Sequence, residues 1–286
     1  MNEPVTIKRG TELELDIESL AYGGMGLARV ENFVIFVKYA IPGERVLARI
    51  YKKRKGFAEA QVLDTLVESP NSTEVKCNHY WICSKIQSLS YDQQIKEKSA
   101  QVEDAFTRLG GFLDFKLDKV RKADLIYNYR NKMEFTFSPN RWVLESEPEG
   151  VDKSFALGLH IPGRFDKILD INDCHIQPEI GNKILSVARE VCLGNPELRP
   201  YDPRSHIGFL RFLMLRFGAN TGDLMVNVVT SYHDIDKLSP LTDALLDKFP
   251  EITSLVNNVN TRKADVAFGE YETLLYGKPY IQEKIG

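Results

Sequence analysis

Between Arg45 and Ala58 the sequence carries six basic residues (Arg45, Arg49, Lys52, Lys53, Arg54, Lys55) and no acidic one, with Tyr51 and Phe57 interleaved. Clustered cations hold phosphates and displace their counterions, and flat rings stack on bases, so these are the residue types of a nucleic-acid contact. A solvated turn would show the same charges, and the run alone does not separate the two. A second group lies at Tyr129-Arg130-Asn131-Lys132-Met133-Glu134-Phe135. Strand alternation there puts Arg130, Lys132 and Glu134 on one face and Tyr129, Met133 and Phe135 on the other, one basic and one core-facing. Arg204, Arg211 and Arg216 add charge near an apolar strand, where arginines are most often paired structural groups.

Cys77 and Cys83 are separated by five residues, and Cys174-His175 follows about ninety residues later. Thiolates gathered from distant segments are what an iron-sulfur cluster or a zinc site needs, whereas a buried free cysteine behaves as a small apolar side chain. Cys192, on the apolar face of its helix, fits the second description. The histidines (His79, His160, His175, His206, His233) form no triad or metal-helix pattern, and no nucleophile has an evident base beside it. No glycine-rich dinucleotide loop, phosphate-binding loop or His-Glu-x-x-His occurs.

The elements that must position these groups follow from periodicity. Leu13, Leu15 and Ile17 alternate with acidic residues, and Phe33 to Val37, Val46 to Ile50 and Phe57 to Val62 are further strands separated by glycine turns. Lys52-Lys53-Arg54-Lys55-Gly56 falls at the tip of a hairpin, where no carboxylate is expected to neutralise it. About five short strands in roughly 70 residues predict a small closed β-barrel of the oligonucleotide-binding kind, and that setting favours RNA for the basic tip. Ser90 is placed to cap a helix with Ile95, Val102, Phe106 and Leu109 on one face, ended by Gly110-Gly111. Strands are predicted at 133–138, 155–160, 209–217, 224–230 and 273–276, and helices after Pro178 and from Ser239-Pro240 to Phe249. The fold class is α+β: a barrel over 1–70, a cysteine segment and linking helix over 71–100, and an α+β domain with a mostly antiparallel sheet over 101–286.

A hydrophobic content of 43% with 27% charged residues is that of a folded globular chain, and a net charge of −3 gives no molecule-wide attraction for nucleic acid. Met1-Asn2-Glu3-Pro4 begins no export signal, and the apolar runs are too short and too interrupted to span a membrane. The expectation is a cytoplasmic protein with reduced thiols and no membrane partner.

Several ordered motifs resemble the RNA uracil-5-methyltransferase family that modifies ribosomal RNA. Gly10 to Glu68, with Ala21-Tyr22-Gly23-Gly24-Met25-Gly26 and Ile41-Pro42-Gly43-Glu44-Arg45-Val46, is similar to a TRAM domain, a β-barrel RNA binder. Tyr129-Arg130-Asn131-Lys132, Gly158-Leu159-His160, Gly163-Arg164-Phe165 and Asp173-Cys174-His175 resemble successive landmarks of the family's central domain. The resemblance covers essentially the whole chain.

The resemblance implies an S-adenosylmethionine-dependent enzyme in which a cysteine attacks the uracil ring and a base removes the proton after methyl transfer. In the family those groups follow a Glu-x-x-Gly that Glu283-Lys284-Ile285-Gly286 resembles. The expectation is therefore a chain without a cofactor domain or catalytic residue of its own, served by a separate catalytic domain or subunit. The alternative is a free-standing RNA-binding protein without catalysis. Lys52, Lys53, Arg54, Lys55, Phe57, Arg130 and Lys132 are the expected contacts to RNA, and ribosomal RNA is the expected partner. Cluster-bearing relatives have a third cysteine where this chain has Ile86, so Cys77, Cys83 and Cys174 make an incomplete iron-sulfur set. A three-iron cluster, a four-iron cluster with an outside ligand, and zinc with His79 or His175 stay open, and the expectation is retained thiols with no stable cluster.

Overall fold

The computed structural model describes residues 7–264 and 266–285. Met1 to Pro4 and Gly286, both used above, lie outside the described residues. The chain divides into two compact units, parted between Asp124 and Leu125.

In the first unit, β1 (Glu12–Asp16), β2 (Ser19–Ala21), β3 (Met25–Val30), β4 (Phe33–Lys38), β5 (Arg45–Lys53) and β6 (Phe57–Val67) form one sheet in the order β1-β5-β6-β4-β3-β2. Only β4 and β6 run parallel. The two strands at its ends, β1 and β2, are one stretch of chain joined through Ile17 and Glu18, and Glu18 N donates to the Leu27 carbonyl at 2.8 Å. The sheet is thus curled onto itself. Its interior alternates large and small side chains: Leu15, Ile35, Val37, Val46 and Ile50 are buried against Ala28, Ala48, Ala58 and Ala60. Small inward residues let the strands of a narrow barrel approach one another. Gly43, at φ +89°, makes the turn into β5, and its N–H donates to the Ile17 carbonyl at 2.9 Å.

α1 (Tyr80–Cys83) and α2 (Tyr91–Asp104), which continues as a π-turn over Ala105–Leu109, complete this unit. The apolar face predicted for α2 is not a buried one. No residue of α2 is buried, and Val102, Phe106 and Leu109 are exposed. Instead Glu97 Oε2 accepts from Leu20 N at 3.2 Å and Gln101 Nε2 donates to the Leu20 carbonyl at 3.1 Å. Polar side chains dock α2 by bonding the backbone of β2, which needs no apolar stripe.

The second unit holds β7 (Lys132–Ser138), β8 (Arg141–Trp142), β9 (Ala156–His160), β10 (Ile168–Asp170), α3 (Glu179–Gly194), β11 (Leu210–Phe217), β12 (Leu224–Thr230), α4 (Ile235–Lys248), β13 (Ser254–Val259) and β14 (Tyr271–Gly277). Its sheet runs β14-β13-β12-β11-β7-β9-β10-β8, with parallel pairing at β12–β13 and β8–β10 and antiparallel pairing elsewhere. Three strands, β8, β10 and β13, go beyond the sequence prediction. α4 begins a turn earlier than predicted, because Asp234 caps it by accepting from Lys237 N at 3.0 Å. Pro240, inside α4, has no N–H for the Asp236 carbonyl, which accepts from Ser239 Oγ at 2.9 Å. Gly158 lies so close to β10 that a Cβ there would stand 1.9 Å from the Leu169 oxygen. Among the described residues no helix is long and apolar enough to cross a membrane.

Candidate nucleic-acid interface

The outer surface of β4, β6 and β5 gathers most of the aromatic and basic residues of the barrel. Inward positions along β6 are Ala58 and Ala60, so Phe57, Glu59 and Gln61 face out. Parallel pairing sets Val34 beside Phe57 and Phe36 beside Glu59, and the Phe36 and Phe57 rings meet edge to face at 5.6 Å. On β5 an irregularity between Ile50 and Lys52 lets Tyr51 and Lys52 both reach Glu59. Tyr51 Oη donates to Glu59 Oε2 at 2.8 Å, and Lys52 Nζ donates to Glu59 Oε1. The Lys38 ammonium lies 4.5 Å from the centre of the Tyr51 ring.

Electrostatics follow from this packing. The Lys52 and then the Tyr51 hydrogen bond hold the Glu59 carboxyl below the ordinary carboxylate range. Burial first, and then the Glu59 carboxylate, push the Tyr51 hydroxyl well above its ordinary value, so it stays a donor at neutral pH. The expectation that no carboxylate neutralises the basic run is corrected here. Lys52 is paired with Glu59, Arg49 with Glu12 at 2.7 Å, and Arg45 with Glu14 at 2.9 Å. Cross-strand neighbours supply charges that the linear run does not contain. Lys53, Arg54 and Lys55 are exposed and in no ion pair among the described residues, with Lys53 Nζ 5.9 Å from the Phe33 ring centre. Phe57 is half-buried against Phe36 rather than standing free.

Three contributors were not singled out in the sequence. Lys8 and Arg9 are exposed and held beside β5, since Gly10 N donates to the Ile50 carbonyl at 2.8 Å. Phe36 belongs to the same face, and the outward parity of Val34, Phe36 and Lys38 was the signal available for it.

In the second unit Lys132 and Glu134 do share the outward face of β7, opposite buried Met133 and Phe135. Their side chains lie 3.8 Å apart, so the Lys132 charge is partly offset. Arg130 precedes the strand and turns its Nε onto the Lys132 carbonyl at 3.0 Å. Tyr129, expected on the core face, is 57% exposed, because the strand begins only at Lys132 and alternation does not extend back to it.

Cys77 and Cys83 belong to the first unit and Cys174 to the second. Buried Cys77 receives a hydrogen bond from Gln87 Nε2 at 3.3 Å, and burial raises its pKa. Cys83 is exposed, and Cys174 is buried with its N–H bonded to Asn182 Oδ1 at 2.9 Å. Ile86 packs against the apolar cluster of Leu20, Ile41 and Leu89. Within either unit, among the described residues, no three Cys, His, Asp or Glu side chains are gathered to hold a metal ion. Ile86, where the resemblance implies a third cysteine, is thus a packed apolar side chain that offers a metal no donor.

The family model of the TRAM domain matches residues 7–63, which are the six-stranded barrel up to the middle of β6. The barrel is a TRAM domain. Beyond it, the chain's homologues are RNA methyltransferases. Over 281 residues it is 37% identical to an uncharacterised RNA methyltransferase of Porphyromonas gingivalis, covering 95% of this chain and 60% of that protein. An uncharacterised RNA methyltransferase of Chlorobaculum tepidum is 38% identical over 252 residues, 86% of this chain and 52% of that protein. The chain thus spans 52–60% of the length of these curated relatives. The crystal structure of Pyrococcus abyssi tRNA (uracil-54, C5)-methyltransferase in complex with S-adenosyl-L-homocysteine matches 95% of this chain and 57% of its own. The TM-score is 0.66 at 21% identity, which shows a shared fold. This match overturns the expectation of a missing cofactor domain. A methyltransferase solved with S-adenosyl-L-homocysteine has the same fold over nearly all of this chain, and an alignment spanning 57% of it is no ground for calling that domain absent. In this TRAM domain the aromatic and basic surface lies on β4, β6 and β5.

Proposed function

We propose that this protein is an S-adenosylmethionine-dependent RNA methyltransferase acting at C5 of a uracil, and that the residues described here hold its RNA. The observation that carries the reading is the outer face of the TRAM domain, where Tyr51, Phe36 and Phe57 adjoin Lys53, Arg54 and Lys55. Rings of this kind accept unstacked bases of a strand or loop, and exposed cations beside them take the phosphates. Arg130 and Lys132 are proposed as weaker contacts, since Glu134 offsets part of the Lys132 charge and Arg130 Nε is engaged by the Lys132 carbonyl. S-adenosylmethionine, when bound, supplies an electrophilic methyl group; none of the residues described here is assigned to its binding. What they do is bind and orient the strand.

The methyltransferase reading is supported by the relatives described above, and the choice of uracil C5 by the shared fold with the archaeal enzyme. The test is nucleoside mass spectrometry of ribosomal and transfer RNA treated with the complete gene product and S-adenosylmethionine. The expected product is 5-methyluridine. A methylated base other than uracil would overturn the choice of target, and no methylated nucleoside in either RNA would overturn the enzyme.

A further inference from the structure

A cleft of about 690 Å³ opens in the second unit, between the loop at 197–209, the loop at 231–234, the first turn of α4 and the turn after β13. That is the size range of sites for small organic ligands. Its lining carries three cations, Arg199, Lys237 and Lys263, against one carboxylate, Glu197. Lys237 Nζ bonds Glu197 Oε2 at 3.2 Å, so those two offset each other and leave Arg199 and Lys263 as the surplus. Neither is in an ion pair among the described residues.

The walls are held firmly. Arg211, 1% exposed, donates to the carbonyls of Asn260 at 2.9 Å, Arg262 at 2.6 Å and Ala264 at 2.6 Å, and its guanidinium stacks 4.3 Å from the Tyr201 ring centre. This fixes the turn that carries Lys263. Ser231 Oγ donates to the Gly208 carbonyl at 2.6 Å, tying the other two loops together. At the opening Tyr232, 41% exposed, packs on buried Phe209 with ring centres 4.9 Å apart. Lys237 Nζ stands 5.8 Å from the Tyr232 ring. An exposed ring on a fixed backing, beside unbalanced cations, suits a ligand with one flat apolar part and one anionic part.

We propose that this cleft takes one nucleotide of a single RNA strand, its base against Tyr232 and its phosphate held by Arg199 and Lys263; the proposal rests on the RNA reading above. The probe is a fluorescein-labelled uridine 12-mer containing 4-thiouridine, used with the intact chain for anisotropy and for photo-crosslinking mapped by mass spectrometry. Cross-links in 199–209 or 231–237 are expected. Tyr232→Ala should weaken binding about 5- to 150-fold and Tyr232→Phe should restore it, the range for one stacked base. Lys263→Ser should flatten the dependence of log affinity on log salt by about 0.7. Circular dichroism checks each variant's fold. If Tyr232→Ala and Lys263→Ser bind as the parent does while Lys53→Ser/Arg54→Ser/Lys55→Ser weakens binding, the cleft inference falls and the RNA reading stands. If the parent itself fails to bind the 12-mer, both fall. If an aspartate decapeptide binds instead, lost on Lys263→Ser but indifferent to Tyr232→Ala, the cleft is an acidic-peptide site and the proposal is overturned.

Discussion

Across the β5–β6 pair the Lys52 ammonium meets the Glu59 carboxylate, so its charge is largely offset on the outer face of the barrel, whereas Arg54 and Lys55 point theirs at solvent. Glu59→Gln should release Lys52 to a phosphate, raising RNA affinity and steepening the salt dependence by up to about 0.7, read by anisotropy. The pH dependence has a fixed sign. Glu59 is held below its ordinary value, so the pair's contribution is complete above the ordinary carboxylate range and lost only as pH falls through the lowered value. Urea midpoints of the parent should therefore fall more steeply than those of Glu59→Gln only below that range. Phe57→Ala should cost about 1–3 kcal/mol of RNA binding per stacked base with the salt dependence unchanged. Among the thiols, burial pushes Cys192 up to about 12, and burial also raises Cys77, while Cys83 is exposed. Maleimide at neutral pH should therefore modify Cys83 first and leave Cys192 unmodified until the protein unfolds, as peptide mapping would record. The residue types at these positions were legible in the sequence. The partners were not: Glu59 reaches Lys52 through strand register and a local bulge, which no linear spacing records.

At the scale of elements, alternation sufficed where one face of a strand is buried and the other wet. It located β1 and β5 and the outward parity of Lys132. It failed on β13, Ser-Leu-Val-Asn-Asn-Val, where two asparagines interrupt the apolar run. Their burial is made tolerable by bonds from Asn257 Nδ2 to the Val228 carbonyl at 2.9 Å and from Asn258 Nδ2 to Glu272 at 2.7 Å. It misled on α2, whose apolar positions are spaced for a core yet lie half-buried or exposed while Glu97 and Gln101 dock the helix. The strand β9 carries a sharper constraint. Arg189 of α3 bonds the carbonyls of Leu157 at 3.2 Å and Ile171 at 2.7 Å and the Asp170 carboxylate at 2.9 Å, clamping β9 to β10 around Gly158. Gly158→Ala should push the two strands apart and destabilise the protein by about 1–3 kcal/mol, seen as a lower urea midpoint.

Over its whole length this chain carries a formal charge of −3, which gives no chain-wide attraction for polyanions, so the proposed contact with RNA rests on local surfaces. Sequence reading captured the barrel, its basic hairpin and the likeness to RNA methyltransferases, because each leaves a local pattern. It did not capture the cleft of the second unit, whose lining comes from segments more than sixty residues apart, between Glu197 and Lys263. The central claim is that the outer face of the barrel holds RNA through the three cations at its tip. The most direct test is fluorescence anisotropy of the intact chain on a labelled RNA hairpin across a range of salt, comparing Lys53→Ser/Arg54→Ser/Lys55→Ser with Lys52→Ser. The triple variant should bind more weakly and lose about 1.4 to 2.1 from the slope of log affinity against log salt, for two to three lost phosphate contacts, while Lys52→Ser loses well under 0.7. Unchanged affinity and slope in a folded triple variant would contradict the account and leave the hairpin a solvated turn.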